Sequence, residues 1–138
     1  MSNQERTLIF IKPEAVTRGL VGEILSRFER RGIVIEHLQM VQITEEQARA
    51  HYAHHQDKPF FPELLRAVTK GPVVFAILRG PRVVSVVRTM VGATNPAEAL
   101  PGTIRGDFGL DVSDNVIHAS DSPENAQAEI ARFFPHLA

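Results

Sequence analysis

Thr7-Leu-Ile-Phe-Ile11 is a short run of apolar, β-branched and aromatic residues, followed by a lysine and a proline. A short run of this composition that ends at a proline is typical of a buried strand. Val73–Leu78 is a second run of this kind and predicts a central strand. Ile33–Ile43 and Asn115–Ala119 predict two further strands, and an irregular alternation near His37 indicates a bulge in the first of them.

Helical spacing separates these predicted strands. Apolar residues recur on one helical face at Leu20–Phe28 and Phe60–Val68. The apolar residues of Val83–Val91 suit either a helix or a strand, and a helix is chosen because Met90 and Val91 fall on the same helical face as the preceding valines. A capping-box sequence predicts that another helix begins at Thr44 and carries Tyr52, with the chain leaving that helix at Asp57-Lys-Pro59. Ser122-Pro123 predicts the start of a last helix, which Pro135 ends.

Between Gly92 and Asp114 no apolar period is visible, and the segment contains two prolines and four glycines. We therefore expect a long loop, and a structureless stretch of this size is usually functional. The order of elements predicts an α+β class: a ferredoxin-like (split βαβ) four-stranded antiparallel sheet with helices on its faces and an inserted helical pair. Because the sequence contains no linker or repeat, residues 1–138 are expected to form one domain.

The composition excludes several classes of protein. Lys and Arg number 15 against 16 Asp and Glu, so the net charge of −1 lacks the basic excess of a dedicated nucleic-acid binder. The chain has no cysteine, which excludes disulfides, cysteine-ligated zinc, iron–sulfur clusters and a cysteine nucleophile. No segment approaches the roughly 18 apolar residues of a membrane span, and no signal-peptide pattern is present. We therefore expect a cytoplasmic protein without a membrane partner.

Neither a P-loop nor a G-x-G-x-x-G sequence occurs. If this protein binds phosphates, it must therefore use cationic side chains and its irregular loop. His51, His54 and His55 lie on one predicted helix, where spacings of three or four residues could place two metal ligands on one face. We interpret them as part of a solvated helix surface, because no third ligand is evident. His37 and His136 are also interpreted as surface residues.

His118 differs from the other histidines in its neighbours. Asn115-Val-Ile-His118-Ala-Ser120-Asp121-Ser122 brings an amide, an imidazole, hydroxyls and a carboxylate within eight residues, directly after the long loop and before a helix. A histidine in a strand is commonly a structural residue. This concentration of reactive groups makes His118 a candidate for chemistry instead.

The segment from Asn115 to Asp121 resembles the active-site signature Asn-x-x-His-[Gly/Ala]-Ser-Asp of the nucleoside diphosphate kinase family. Other blocks that are similar to the family follow in the same order along the chain, at Thr7–Pro13, Tyr52, Asp57–Phe61, Gly71–Val73, Arg88, Gly92–Pro96 and Pro101–Phe108. The resemblance implies a ping-pong transfer of the γ-phosphate of a nucleoside triphosphate, mainly ATP, to a nucleoside diphosphate through a phosphohistidine. Such an enzyme maintains the NTP and dNTP pools.

The resemblance also implies roles for the residues at matching positions. His118 would be the nucleophile, for which a neutral imidazole is well suited. Glu129 would accept a hydrogen bond from its second nitrogen and so fix the tautomer, with Ser120 in the same network. Phosphoryl transfer depends mainly on placed charge, and the implied phosphate contacts are Lys12, Arg88, Arg105, Tyr52 and Thr94.

The implied contacts to the nucleoside are few. Asn115 and Lys12 would contact the sugar hydroxyls, while Phe60 and Val112 would enclose the base. A contact with the π-face of a base hardly distinguishes one base from another, so broad nucleotide specificity is expected. Phe61, next to Phe60, is expected in the core.

Mg²⁺ is the implied cofactor, held mainly by the phosphates of the nucleotide rather than by protein ligands. Asp121 could contact it through water, but we interpret Asp121 as a helix-capping residue. Lys58 stands where many family members carry Arg, which predicts a weaker phosphate contact. Ala119 replaces the commoner Gly, a change that the signature permits.

The resemblance implies a homo-oligomer built from dimers. The chain ends soon after Pro135, without the C-terminal extension of the longer hexameric members. A tetramer or dimer is therefore expected rather than a hexamer.

Two other functions fit a ferredoxin-like sheet less well. An RNA-binding module would present aromatic residues to bases, but the RNP1 pattern of basic, glycine and alternating aromatic residues is absent. A regulatory protein with a degenerate kinase fold would lack a catalytic residue, and every residue that the family signature requires is present. These observations favour the enzyme.

Overall fold

The computed structural model describes residues 4–138 and places a four-stranded antiparallel sheet at the centre of the protein. Its strands are β1 (Gln4–Ile11), β2 (Val34–Val41), β3 (Val73–Pro81) and β4 (Ile117–Ala119). Their order across the sheet is β2-β3-β1-β4, which confirms the predicted ferredoxin-like fold. The run at Val73–Leu78 forms the central strand β3, as predicted, and the run at Thr7–Ile11, predicted as a buried strand, forms the other central strand, β1.

The helices in the described part of the chain are α1 (Pro13–Thr17), α2 (Val21–Arg30), α3 (Glu45–His51), α4 (Phe61–Thr69), α5 (Val83–Val91), α6 (Ile104–Phe108) and α7 (Pro123–Phe133). Short 3-10 turns occur at Ala53–His55, Pro96–Glu98 and Pro135–Leu137. The inserted pair, α3 and α4, lies between β2 and β3 as predicted. No helix within residues 4–138 combines the length and the apolar character needed to cross a membrane.

Alternate residues of β1 face two separate cores, because successive side chains of a strand point to opposite faces of the sheet. Ile9 and Ile11 pack with the buried residues of α2 and α5. Leu8 and Phe10 pack on the other face with buried residues of α3, α4 and α7. The sheet is therefore covered by helices on both faces, which explains why the first apolar run shows no alternation.

The predicted boundaries of α3 and β2 are confirmed in part. Thr44 caps α3 with a capping box, since its side chain accepts from the Gln47 amide and the Gln47 side chain accepts from the Thr44 amide. The helix ends at His51, so Tyr52 lies one residue beyond it rather than within it. The register of β2 shifts between Ile35 and His37, which confirms the predicted bulge.

The expectation of an unbroken loop from Gly92 to Asp114 is wrong. The segment contains the 3-10 turn at Pro96–Glu98 and α6, whose N-terminus is capped when Thr103 Oγ accepts from the Gly106 amide. Helix α1 also has no counterpart among the sequence predictions. Both helices contain only five residues, too few to show an apolar period.

Candidate active site

A cleft of about 610 Å³ opens beside β4 and α7. Ten of the eleven residues assigned by resemblance line it, namely Lys12, Tyr52, Phe60, Arg88, Thr94, Arg105, Val112, Asn115, His118 and Glu129. The eleventh, Ser120, is fully buried and bonded to Glu129. The fold thus brings together side chains that are separated by more than a hundred positions in the sequence.

His118 lies on β4 and is bonded to α7. Its Nε2 is 2.7 Å from Glu129 Oε1, and Ser120 Oγ donates to the same oxygen at 2.6 Å. Burial opposes ionisation of Glu129, but the hydrogen bonds from His118 and Ser120 outweigh that cost and lower the pKa of the carboxyl. Glu129 therefore accepts as a carboxylate, His118 Nε2 carries the proton, and His118 Nδ1 keeps a free lone pair.

A left-handed residue precedes this strand. Val116 has φ = 78°, an uncommon conformation for a β-branched residue. The Ile117 amide donates back to the Asn115 carbonyl at 2.9 Å, which closes a three-residue turn. This turn lets the buried Asn115 enter the cleft from the loop while His118, three residues later, enters it from the sheet.

Two aromatic rings fix the position of the His118 ring. Phe10 stacks on it with centroids 4.9 Å apart and an interplanar angle of 25°. His51 meets it edge-on at 4.5 Å and 85°. The sequence interpretation of His51 as a solvated residue is wrong, because α3 packs against α7 and β1 and leaves His51 only 6% exposed. Its spacing of three residues from the buried Ala48 is the signal that could have indicated this.

Arg132 is a second cleft residue that the sequence did not reveal. It lies on α7, and its Nη1 is 3.1 Å from His51 Nδ1. A guanidinium can only donate, so His51 Nδ1 must accept and the proton of the neutral ring lies on Nε2. Burial, followed by the proximity of His118, lowers the pKa of His51 to about 3, and the ring is therefore neutral across the physiological range.

His51, His118 and Glu129 each offer an atom within 4.8 Å of the others, which is the kind of cluster that can bind a metal ion. Their hydrogen bonds oppose that use. His51 Nδ1 is occupied by Arg132 and its Nε2 is protonated, while Glu129 Oε1 accepts from two donors. The hydrogen bonds of these three residues therefore fix the protons of the two imidazole rings and do not favour a metal ion.

Lys12 stands at the end of β1 and is 3% exposed. Its Nζ donates to Asn115 Oδ1 at 2.7 Å and to the Ser113 carbonyl at 3.3 Å. Burial, and next the charge of Arg105, lower the pKa of Lys12 to about 7. Near neutral pH the Lys12 side chain is therefore only partly protonated, and an approaching anion favours uptake of a proton and the charged ammonium form.

Arg105 is held more rigidly than a free phosphate-binding cation. It is 4% exposed and donates to three main-chain carbonyls, those of Gly92 (3.2 Å), Asn115 (3.2 Å) and Ile117 (2.6 Å). Burial, and next Arg88, lower its pKa to about 10, so it remains charged at neutral pH. Arg105 thus joins the loop to β4 as well as contributing positive charge to the cleft.

Arg88, Asn115 and Thr94 complete this network. Arg88 Nη1 donates to the Ala119 carbonyl at 3.1 Å, directly after His118 in the chain. Asn115 Nδ2 donates to the Thr94 carbonyl at 2.9 Å, while its Oδ1 accepts from Lys12. The amide therefore connects β1, the loop and β4.

Tyr52 lies in the cleft wall and is 8% exposed. Burial raises the pKa of its hydroxyl, which keeps the group neutral and able to donate a hydrogen bond. The mouth of the cleft is apolar on two sides, where Phe60 is 41% exposed and Val112 is 45% exposed. Phe61 next to them is buried in the core, as predicted.

Lys58 and Asp121 are the two further residues for which the sequence predicted a role near the site. Lys58 is exposed and is not part of the cleft lining. The helix-capping interpretation of Asp121 is wrong, because Ser122 Oγ accepts from the Asn125 amide and caps α7. Asp121 lies on the cleft and accepts from the Asn125 side chain.

Sequence and structure comparisons agree with the geometry. The sequence profile of the family described as nucleoside diphosphate kinase matches residues 5–138. Nucleoside diphosphate kinases of Archaeoglobus fulgidus (57% identical, covering 94% of this chain and 86% of that protein) and Thermus thermophilus (59%, covering 94% and 95%) are similar over almost their whole length. The structure of a halophilic nucleoside diphosphate kinase from Halobacterium salinarum in complex with CDP superposes with a TM-score of 0.92 at 44% identity, covering 95% of this chain and 88% of that chain. The chain therefore belongs to the nucleoside diphosphate kinase family.

Proposed function

We propose that His118 carries the phosphoryl group when this enzyme transfers the γ-phosphate of a nucleoside triphosphate to a nucleoside diphosphate. One observation carries the proposal. Glu129 holds the proton of His118 on Nε2, so that the lone pair of Nδ1 is free in a cleft lined by Lys12, Arg88 and Arg105. A neutral imidazole in that tautomer is a nucleophile that needs no separate base.

The first half-reaction forms a bond between His118 Nδ1 and the γ-phosphorus. The bond from that phosphorus to the oxygen bridging the β- and γ-phosphates breaks, and its electron pair leaves with the nucleoside diphosphate. The ring becomes cationic, and Glu129 stabilises it through the hydrogen bond from Nε2. A second nucleoside diphosphate then attacks the same phosphorus through a terminal phosphate oxygen and restores the neutral ring.

The cations of the cleft stabilise the charge on the migrating group. Phosphoryl transfer depends on positioning and electrostatic stabilisation more than on covalent assistance. Arg105 and Arg88 are fixed by main-chain carbonyls before the nucleotide arrives, so little reorganisation is needed. We assign phosphate contacts to these two arginines and to Lys12, Tyr52 and Thr94.

The nucleoside is assigned to the mouth of the cleft. Phe60 and Val112 offer two exposed apolar surfaces between which a base can stack, and Asn115 with Lys12 lies deeper, where sugar hydroxyls would bind. The relative from Halobacterium salinarum was solved in complex with CDP, which supports a nucleotide as the ligand here. ATP and other nucleoside tri- and diphosphates are the proposed substrates, because stacking does not select one base.

Mg²⁺ is the proposed metal, and the carboxylates that line the cleft determine how many protein ligands it could have. Glu129 is committed to His118 and Ser120, which leaves Asp121 as a carboxylate of the cleft that would accept from a metal-bound water. Most of the ligands would therefore be phosphate oxygens, as is usual for Mg²⁺ in kinases. When bound, the ion neutralises charge on the phosphates.

Residues 1–138 are proposed to act as one domain. The chain is proposed to form a homo-oligomer built from dimers, either a tetramer or a dimer rather than a hexamer. The edge strand β2 supports association between copies of the chain, since Leu38 (50% exposed) and Met40 (59% exposed) present apolar side chains there. Light scattering in solution tests the number of subunits. A cytoplasmic location stays a prediction.

The proposed function is tested by measuring transfer of a labelled γ-phosphate to the protein. Purified protein incubated with γ-labelled ATP and magnesium should acquire a label that is acid-labile and alkali-stable, and that leaves when any nucleoside diphosphate is added. His118→Asn should remain unlabelled, while the matched variant of an exposed histidine, His136→Asn, should label like wild type. A label that persists in His118→Asn contradicts the mechanism.

A further inference from the structure

Two histidines of the cleft receive opposite partners from one helix. Glu129 and Arg132 are three residues apart on α7 and lie on the same side of it. Glu129 binds His118 at Nε2, and Arg132 binds His51 at Nδ1. The two imidazole rings themselves meet edge-on, with centroids 4.5 Å apart. One turn of helix therefore determines the protonation of both rings.

The two partners have opposite chemical effects. A carboxylate that accepts from an imidazole makes the other ring nitrogen more basic and supports positive charge on the ring. A guanidinium that donates to an imidazole occupies the lone pair and disfavours positive charge. His118 is thus prepared for attack, whereas His51 has one nitrogen blocked by Arg132 and the other bearing the proton.

We infer that Arg132 is a positioning residue that acts through His51. It holds the His51 ring neutral and in one orientation, so that His51 forms a fixed wall against His118 and does not compete for Glu129 or for the phosphoryl group. The inference rests on the proposed role of His118 as the phosphate carrier. It assigns to Arg132 a task that differs from the phosphate contacts assigned to Arg88 and Arg105.

The position of His118 explains why such a wall matters. Phe10 covers one face of the ring, Glu129 holds Nε2, and His51 contacts the ring edge-on and limits its rotation. Loss of one constraint broadens the directions in which Nδ1 points. Small misplacements of a nucleophile reduce its rate of attack strongly, by up to about a hundredfold for a shift of an ångström.

A freed His51 would also disturb the protonation of its neighbours. The charged and titratable groups that face it are His118 on β4, Glu129 and Arg132 on α7, and His54 in the following 3-10 turn. Without the guanidinium, the Nδ1–H tautomer and the protonated ring of His51 both become accessible. Either form changes the competition for the single Glu129 carboxylate.

The kinetic test uses single-turnover phosphorylation by γ-labelled ATP. Arg132→Ala should slow labelling of His118 about tenfold, and Arg132→Lys, which keeps a cationic donor, should recover part of the rate. Arg66→Ala is the matched control, since Arg66 is an exposed helical arginine that pairs with Glu63 at the surface. Unchanged labelling in Arg132→Ala overturns the inference, provided that wild type labels; an unlabelled wild type contradicts the proposed function instead.

A double-variant cycle tests the route of the effect. His51→Phe keeps a ring of similar size in the wall and removes both nitrogens, so that Arg132→Ala should cause no further loss in that background. An equal loss in both backgrounds means that Arg132 acts on the nucleotide directly and overturns the inference. Thermal unfolding of each variant separates a folding defect from a kinetic one.

A spectroscopic test does not depend on activity. Nitrogen-15 NMR distinguishes a protonated from an unprotonated imidazole nitrogen, and wild type should show His51 with Nε2 protonated and Nδ1 bare between pH 6 and 8. In Arg132→Ala the His51 signals should shift towards a mixture of tautomers, while Arg66→Ala should match wild type. A His51 tautomer that is the same with and without Arg132 overturns the inference.

Discussion

Phe10 and His118 are direct partners across β1 and β4, and their rings stack with centroids 4.9 Å apart. The apolar run that forms the central strand β1 therefore also supports His118, the proposed nucleophile. Phe10 is fully buried between Phe75 and His118, so its ring contributes to the core and to the active site at once. The fold and the chemistry of the protein share this side chain.

The first prediction concerns Phe10→Leu. Loss of the ring should reduce the free energy of unfolding by about 1–2 kcal/mol and slow phosphorylation of His118 about fivefold, because one wall of the ring is lost. Phe75→Leu is the control, since Phe75 contacts Phe10 but belongs to β3. Urea unfolding and single-turnover labelling measure both effects. Equal rate losses in the two variants would show that the stack has no special role.

The sequence predicted the long elements because each spans enough residues to show a period. It missed α1 and α6, which contain five residues each, and their positions depend on caps and on the surrounding loop. It also misjudged His51, whose burial depends on how α3 packs against α7. The pairing of His51 with Arg132 joins positions 81 residues apart, a relationship that no local pattern contains.

Glu129→Gln should lower the rate of His118 phosphorylation by about tenfold to a hundredfold. The amide oxygen can still accept from His118 and Ser120, but it no longer stabilises the cationic phosphohistidine with a full charge. Glu124→Gln, an exposed carboxylate in the first turn of the same helix, should keep the wild-type rate. Rapid-quench labelling measures the rate of His118 phosphorylation in each variant. A wild-type rate in Glu129→Gln would show that the negative charge of the carboxylate does not contribute to the mechanism.

Lys12 gives the stability of the protein a specific pH dependence. Its pKa is about 7 when folded against an ordinary value of 10.5, so between these values the unfolded chain binds more protons and the free energy of unfolding rises with pH. The contribution of Lys12 to the free energy of unfolding is complete above pH 10.5. It decreases as the pH falls below 10.5 and is lost as the pH falls through 7. Urea midpoints from pH 7 to 9 should rise more steeply in wild type than in Lys12→Met. Parallel curves would contradict the lowered pKa.

Arg105→Lys should damage stability as well as catalysis. Arginine bonds three main-chain carbonyls at once, and a lysine ammonium cannot reproduce this planar arrangement. We expect a loss of about 2–3 kcal/mol in unfolding free energy, because buried carbonyls lose their donors. Arg88→Lys, whose arginine makes one such bond, should lose clearly less. Chemical denaturation compares the two, and similar losses would argue against a structural role for Arg105.

Phe60→Ala tests the stacking of the base at the mouth of the cleft. Removing one stacking surface should raise the KM for every nucleotide about tenfold, with kcat at saturation nearly unchanged, because stacking contributes equally to the ground state and the transition state. The increase should be similar for ATP, GTP, CTP and UTP, since each base has a π-face. Leu100→Ala, a 73% exposed apolar residue outside the cleft lining, serves as the control. A fall in kcat, or an increase confined to one base, would assign Phe60 a different task.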